Sequence, residues 1–198
     1  MKTVYVIIYS AYGHVEKMAQ SIIKGLEKSS VKVKLFQVQE TLSQEVLGKM
    51  NVKAMPHIPV VTANDLHAAD GFMFGFPTRF GMVPAQFKAL LDSCGKLWLN
   101  GGLSQKFVGT FVSTGSLGFG QEGTHLSLMP FFAHLGMIYV PLGSKCPLLL
   151  DLSAAHGGSP YGAGTLASSN GSRTPSELEL SIAEFQGQEF GTLLNRMQ

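Results

Sequence analysis

The chain has 198 residues, of which 45% are hydrophobic and only 14% are charged, with a formal net charge of +2. This length is enough to bury the core of one domain, and the small charge without a Lys/Arg cluster argues against a nucleic-acid partner. Because few residues are charged, much of the surface is not covered by charged side chains. This favours self-association, which would bury part of that surface.

Cysteine content and hydropathy predict the cellular location of the chain. Cys94 and Cys146 are too few for a disulfide framework, which favours a reducing compartment. No apolar run is long enough to span a bilayer, the apolar start is too short for a signal peptide, and neither end carries a lipidation motif. We therefore expect a soluble, cytoplasmic protein without an integral membrane segment.

The first motif is a buried strand that turns directly into a helix. The apolar run Val4–Tyr9 predicts a strand covered on both faces, and helical spacing continues from Val15 to about Lys28. Free N–H groups and the positive end of the helix dipole meet at the turn between them. The stretch Ser10–Val15 therefore predicts a phosphate site, in which backbone N–H groups are the main donors.

Two further strands and an irregular segment follow. Alternating residues at Val31–Val38 predict a half-exposed edge strand. Residues 41–68 read as an insertion with a short helix from Thr41 through Met50. Asp70–Phe76 predicts a buried third strand, followed by the turn Pro77–Gly81 and a helix over Pro84–Cys94.

The second half continues the alternation. Phe107–Ser113 predicts a fourth strand with a glycine-rich exit loop, then a helix from about Glu122 to Leu135, distorted near Pro130, and a fifth strand at Met137–Leu142. Residues 143–173 form a long Gly-, Ser- and Ala-rich insertion of the kind that is functional or tied down by partners. Thr174, Pro175 and Glu177 predict the start of a last helix that ends near Leu194.

Five strands alternating with helices predict an α/β fold with a parallel sheet covered on both faces. In such sheets ligands bind beyond the carboxyl ends of the strands. The loops Ser10–Val15, Pro77–Gly81 and Ser113–Gly120 follow three of these ends and should meet there.

These three loops resemble those of the flavodoxin-like WrbA family of NAD(P)H:quinone oxidoreductases. Leu97–Trp98, His156–Thr165 and Asn170–Arg173 are similar as well, so the resemblance covers essentially the whole chain. It implies one flavodoxin-like domain over residues 1–198, FMN as cofactor and NADH or NADPH as hydride donor. It also implies two-electron reduction of a quinone by a ping-pong mechanism, in a homodimer or homotetramer.

The resemblance also implies the site residues. Tyr12 is expected beside the nicotinamide, and Trp98 over the quinone from a neighbouring subunit. His134 is expected to donate a hydrogen bond to a flavin or quinone oxygen. Arg79 would favour negative charge on the reduced cofactor. The residues expected to contact FMN are Ser10, Ala11, Tyr12, Gly13, His14, Val15, Pro77, Thr78, Arg79, Phe80, Gly81, Ser113, Thr114, Gly115, Ser116, Leu117, Gly118 and His134.

Structural roles remain open for several of these residues. His14 can cap or pack at the helix start, Phe80 can anchor the core, and Trp98 can fill a core gap. A lone His such as His134 is most often structural. The other histidines lack ligand spacing, so no metal site is expected.

The chain departs from the family pattern at Met82, where Asn is common, in the bulkier loop 116–120, and at Leu135, where a second His is common. These departures leave a non-catalytic scaffold or regulatory protein as an alternative, together with a flavodoxin-type electron carrier. A P-loop or a phosphoacceptor domain is disfavoured, because no Gly-Lys-Ser/Thr follows the first strand and no Asp cluster lies at the strand ends.

Overall fold

The computed structural model describes residues 1–197, and its centre is a parallel sheet. Five of its strands lie in the order β2-β1-β3-β4-β5, as the predicted flavodoxin-like fold requires. The outer strand β2 is half-exposed, and β1, β3 and β4 are buried. These strands are β1 (Thr3–Ile8), β2 (Lys32–Gln37), β3 (Gly71–Pro77), β4 (Phe107–Thr114) and β5 (Ile138–Tyr139).

A sixth strand, β6 (Gly164–Leu166), lies in the insertion 143–173, where the sequence predicts no strand. It pairs in parallel with Val112–Thr114 at the carboxyl end of β4. The predicted fifth strand is reduced to the two residues of β5, which pair with Phe107 and Val108 at the amino end. Two short segments thus share one side of β4, and the sheet has six strands rather than five.

Within residues 1–197, seven α-helices flank the sheet. The predicted helix 122–135 is two helices, because the chain breaks at Ser127–Leu128 just before Pro130. Trp98 lies in a short helix, and the last helix begins after Ser176 rather than Thr174. The helices are α1 (His14–Lys28), α2 (Gln44–Lys49), α3 (Ala85–Asp92), α4 (Gly95–Leu99), α5 (Gln121–Leu126), α6 (Met129–His134) and α7 (Glu177–Arg196). Within the described residues, no helix combines the length and apolarity needed to cross a membrane.

The two faces of the sheet carry separate cores. One face is dominated by buried aromatic rings, including those of Phe74, Phe76 and Phe87. The other face is covered by α1 and α7, which pack almost backbone to backbone. A Cβ atom on Gly25 would lie 1.9 Å from the Glu184 carbonyl oxygen, and one on Gly187 would lie 2.1 Å from that of Ile22. Glycine is therefore required where these two helices cross.

Candidate functional site

A cavity of about 470 Å³ opens beyond the carboxyl ends of β1, β3 and β4. Its volume falls in the range of small-molecule sites, and it lies where the winding of the sheet reverses between β1 and β3. None of its lining residues carries a carboxylate, whereas His14 and Arg79 are basic. The lining residues are Ser10, Ala11, Tyr12, His14, Val15, Pro77, Thr78, Arg79, Ser113, Thr114, Gly115, Ala167, Ser168, Ser169, Asn170 and Gly171.

The first loop offers unsatisfied donors to this cavity. Gly13 precedes α1 with φ +87° and provides no side-chain cap. The Ser10 hydroxyl oxygen accepts hydrogen bonds from the N–H groups of Gly13 (3.1 Å) and Glu16 (3.4 Å), so it organises the turn. The N–H groups of His14 and Val15, two largely buried residues that line the cavity, have no acceptor among the described residues. Free donors at a helix start fit an anionic group such as a phosphate.

The second loop is a tight hairpin. The N–H and C=O groups of Arg79 and Met82 bond to each other, and Phe80 (φ +54°) and Gly81 (φ +79°) form its tip. Thr78 braces the hairpin, because its hydroxyl oxygen accepts from the Gly81 N–H at 3.1 Å and from the Thr124 hydroxyl at 2.8 Å. Pro77, Thr78 and Arg79 line the cavity, but Phe80 and Gly81 do not. The Phe80 side chain is fully exposed, so the suggestion that it anchors the core is wrong.

The third loop lines the cavity with its first three residues and then turns away. The Thr114 hydroxyl donates to the Ser116 carbonyl (2.9 Å) and accepts from the Gln121 side-chain amide (2.9 Å). Ser113, Thr114 and Gly115 face the cavity, whereas Ser116, Leu117 and Gly118 lie beyond its lining. Leu117 is mostly exposed.

Two predicted catalytic residues lie at the opposite edge of the sheet. His134 ends α6, and two residues later the Gly136 carbonyl accepts from the Gln105 N–H (2.8 Å), beside the amino end of β4. Trp98 lies in α4, which also leads into the amino end of β4, and it is 55% exposed. Within one chain neither side chain lines the cavity. A role there requires a neighbouring chain.

The fourth wall of the cavity, Ala167–Gly171, was not among the predicted site residues. Its first residue is fixed to the third loop, because the Ala167 N–H donates to the Thr114 carbonyl at 2.8 Å. Ser168 has φ +65°, a conformation that non-glycine residues seldom adopt and that is concentrated at functional sites. The available signal was the run of small residues before Asn170–Gly171, within a segment already expected to be functional.

An ion pair between a partly exposed Arg173 and a buried carboxylate lies behind this wall. Glu179 is 0% exposed, and its carboxylate lies 2.9 Å from the Arg173 guanidinium. Burial alone would raise the pKa of the Glu179 carboxyl, but Arg173 and the neighbouring hydrogen bonds outweigh it and hold that pKa below its usual range. The other donors to the carboxylate are the N–H groups of Gly157, Leu166 and Ser176 and the Thr165 hydroxyl.

A second carboxylate stiffens the other side of the first loop. Glu40 accepts from the Tyr9 hydroxyl (3.0 Å) and from the Gln86 amide (2.9 Å), and also from two backbone N–H groups. Burial opposes ionisation of Glu40, yet these bonds hold its pKa below the usual range. Burial and the adjacent carboxylate raise the pKa of Tyr9, so its phenol stays protonated. The ends of β1 and β2 are thus tied together beside Ser10.

The comparisons with known proteins agree with this geometry. Residues 4–144 match the family model described as NADPH-dependent FMN reductase. The chain is 52% identical over 186 residues to the quinone-oxidoreductase QR2 of Triphysaria versicolor, covering 93% of this chain and 91% of the relative. It is 48% identical over 187 residues to the NAD(P)H quinone oxidoreductase PST2 of Candida albicans, covering 94% and 93%.

Solved structures bear on the fold alone. A flavodoxin, WrbA-like protein from Agrobacterium tumefaciens superimposes with a TM-score of 0.67 at 22% identity, over 100% of both chains. Oxidised flavodoxin 2 from Bacillus cereus gives a TM-score of 0.62 at 15% identity, over 99% of both chains. The flavodoxin-like fold is confirmed, while the likeness to the WrbA-like protein shows this fold and no narrower membership.

Proposed function

We infer, because the chain belongs to the NADPH-dependent FMN reductase family, that it is an FMN-dependent enzyme which uses NAD(P)H to reduce quinones. The named activities of QR2 and PST2, at 52% and 48% identity over nearly the whole chain, support this reaction. The observation that carries the inference is the cavity at the switch point, where the N–H groups of His14 and Val15 have no acceptor among the described residues and no lining residue carries a carboxylate. The narrower WrbA identity and a single FMN-binding domain over 1–198 with insertions near 41–68 and 143–173 belong to the same proposal.

When bound, FMN supplies the two-electron chemistry, taking a hydride from NAD(P)H and passing two electrons to a quinone. The whole reaction converts NAD(P)H, a proton and a quinone into NAD(P)⁺ and a hydroquinone. The chain's own part begins at the phosphate, which the N–H groups of His14 and Val15 and the start of α1 would bind. The Ser10 hydroxyl accepts two N–H bonds and still has its own hydrogen to donate.

The second and third loops would hold the flat ring. Pro77 and Thr78 lie on one side, and Gly115 has no side chain to keep a ring at a distance. The Arg79 side chain is fixed by a bond to the Thr78 carbonyl (2.9 Å), so its positive charge can stabilise negative charge that develops on the ring. Tyr12 is 52% exposed at the cavity, where a nicotinamide or a quinone can stack in turn, as a ping-pong reaction requires.

The proposed assembly is a homodimer or homotetramer in the cytoplasm. Trp98 and Leu99 are exposed at the edge of the sheet opposite the cavity, so a neighbouring chain is needed for Trp98, and likewise for His134, to act as proposed. Phe80, Met82 and Phe119 are exposed on the loops around the cavity and offer an apolar surface for such a contact. Cys94 and Cys146 are both buried and free, as suits a reducing compartment.

A second candidate is a flavin-loaded scaffold or regulatory protein without turnover. The observation in its favour is the same apolar surface, because Met82 and the loop 116–120 depart from the family pattern beside the cavity. A partner protein seated there would block access to the ring.

The deciding experiment combines a spectrum with an assay. We expect the purified protein to be yellow, to release FMN on denaturation, and to oxidise NADH or NADPH when benzoquinone is present. A protein that carries FMN but shows no quinone-dependent rate would support the scaffold. A folded protein that binds no FMN would refute both functions.

A matched pair of variants locates the cofactor. Ser10→Ala should lower FMN affinity by about tenfold, because it removes one donor to the phosphate and the acceptor that shapes the turn. Ser43→Ala is the control, since Ser43 caps α2 by accepting from Val46 and does not line the cavity. Equal affinities of the two variants for FMN would move the phosphate site away from Ser10.

A further inference from the structure

We propose that Arg173 and Glu179 form a positioning pair that holds the wall Ala167–Gly171 against the first loop and thereby makes the site select a phosphorylated flavin. This inference rests on the proposed FMN-dependent function. Neither residue of the pair lines the cavity, so the pair acts through the wall rather than by touching the cofactor.

The wall is a short loop that is closed at its two ends. The Arg173 N–H donates to the Ala167 carbonyl (3.1 Å), and its guanidinium donates to the Leu166 carbonyl (2.6 Å) at the end of β6. Between these ends the Gly171 N–H donates to the Ser168 carbonyl (3.1 Å). The residues between Ala167 and Arg173 therefore project as one unit whose base is fixed by Arg173.

The same base is tied to the phosphate-binding loop. The Arg173 carbonyl oxygen lies 2.9 Å from His14 Nε2. A carbonyl can only accept, so Nε2 carries the hydrogen and the imidazole is held in one orientation. Because His14 is the first residue of α1, a shift of Arg173 would move the wall and the helix start together.

Glu179 makes this base rigid. It is buried at the start of α7, and both of its oxygens contact one nitrogen of Arg173, at 3.0 and 2.9 Å. The second terminal nitrogen of the guanidinium, Nη2, donates to the Ala155 carbonyl at 3.2 Å. The guanidinium is thereby fixed in its plane, which a flexible ammonium cannot reproduce.

An amide in place of this carboxylate would fail for a simple reason. Every neighbour of the two oxygens is a donor, with the Gly157 and Leu166 N–H groups on Oε1 and the Thr165 hydroxyl and Ser176 N–H on Oε2. The NH₂ group of a glutamine would face at least one backbone N–H donor on whichever side it took, and Arg173 would lose its counter-charge. The wall would then be free to move away from the first loop.

The consequence falls mainly on the phosphate end. The ring would be held by Pro77–Arg79 and Ser113–Gly115, neither of which the pair touches directly. The wall does join the third loop through the Ala167 N–H and the Thr114 carbonyl, but Thr114 is also held by the Gln121 amide and by its own bond to the Ser116 carbonyl. Riboflavin has the ring but no phosphate, so it reports on the ring site alone. The ratio of FMN affinity to riboflavin affinity therefore isolates the contribution of the wall.

The test titrates the flavin-free full-length protein with FMN and with riboflavin, following the quenching of flavin fluorescence. We expect Glu179→Gln to weaken FMN binding by about tenfold or more while riboflavin binding changes by less than about twofold. Arg173→Lys keeps the charge but loses the planar fork, so it should lower the same ratio by a smaller factor. If Glu179→Gln does not fold, the ratio measured for Arg173→Lys alone tests the positioning role.

Ser176→Ala is the matched control. It removes the cap that accepts from the Glu179 N–H (3.3 Å) and weakens the start of α7, yet it leaves the carboxylate and Arg173 in place. An unchanged ratio in Ser176→Ala with a lowered ratio in the other two variants supports the positioning role. A ratio that stays at the wild-type value in Glu179→Gln, or in Arg173→Lys if that variant alone folds, overturns it, as does an equal fall in Ser176→Ala. Failure of the wild-type protein to bind FMN would instead refute the proposed function.

Discussion

At the scale of single residues, His125 is the clearest case of a titratable side chain buried away from water. It lies on α5 and is 0% exposed, and its Nδ1 atom lies 2.7 Å from the Thr110 hydroxyl on β4. Its Nε2 atom has no hydrogen-bond partner among residues 1–197. Burial lowers the pKa of His125 to about 3, so the native protein holds this imidazole neutral.

This burial predicts a loss of stability in mild acid. The unfolded chain takes up a proton at His125 near pH 6.5 whereas the folded chain does not, so stability is full above that pH and falls as the pH drops toward 3. Between pH 7.5 and 5.5 the free energy of unfolding should fall by about 1.4 kcal/mol more in the wild type than in His125→Leu. Urea unfolding at the two pH values measures this difference. Parallel pH dependences would show that His125 is not the titrating group.

At the scale of secondary-structure elements, the crossing of α1 and α7 leaves no room for a side chain. Gly25→Ala would force a methyl group against the Glu184 carbonyl oxygen, and we expect it to lower the free energy of unfolding by about 2 kcal/mol or more. Gly48 in α2 has open space around it, so Gly48→Ala should instead raise stability by about 0.5–1 kcal/mol. Thermal or urea unfolding of both variants checks the opposite signs. If Gly25→Ala is neutral, the two helices do not pack as closely as described.

The sequence predicts well those elements whose secondary structure and burial follow from a local pattern of apolar residues. The apolar runs of β1 and β3 and the spacing in α1 carry enough local pattern to predict a parallel sheet with a site at its carboxyl edge. β6 has three residues and is stabilised by pairing with β4, a contact that no local pattern encodes.

The start of α7 shows the same limit. Ser176 and Glu179 form the cap rather than Thr174 and Glu177, because the Glu179 carboxylate is held by Arg173 and by backbone groups far from α7 in sequence. The wall Ala167–Gly171 was missed for a related reason. Its small residues carry little chemistry of their own, and only long-range bonds bring them to the cavity.

At the scale of the whole molecule, the cavity and the exposed Trp98 lie on opposite edges of the sheet. If Trp98 serves the cavity of a neighbouring chain, the defect of Trp98→Ala belongs to the neighbour's site. Co-expression of Trp98→Ala with Gly115→Trp, whose own cavity is filled, should therefore restore quinone reduction above the sum of the two variants measured alone. The rates of purified hybrid assemblies measure this. Activity no higher than the sum of the two parents would refute exchange of Trp98 between chains.

The cavity joins distant parts of the chain, because its first loop comes from residues 10–15 and its fourth wall from 167–171, fixed by residue 179. During translation the first loop leaves the ribosome long before that wall and the helix that covers α1 have been made. A nascent chain that lacks residues 167–179 cannot close the cavity around a flavin, so FMN binding has to follow the synthesis of α7. Shortening α7 should accordingly produce colourless protein.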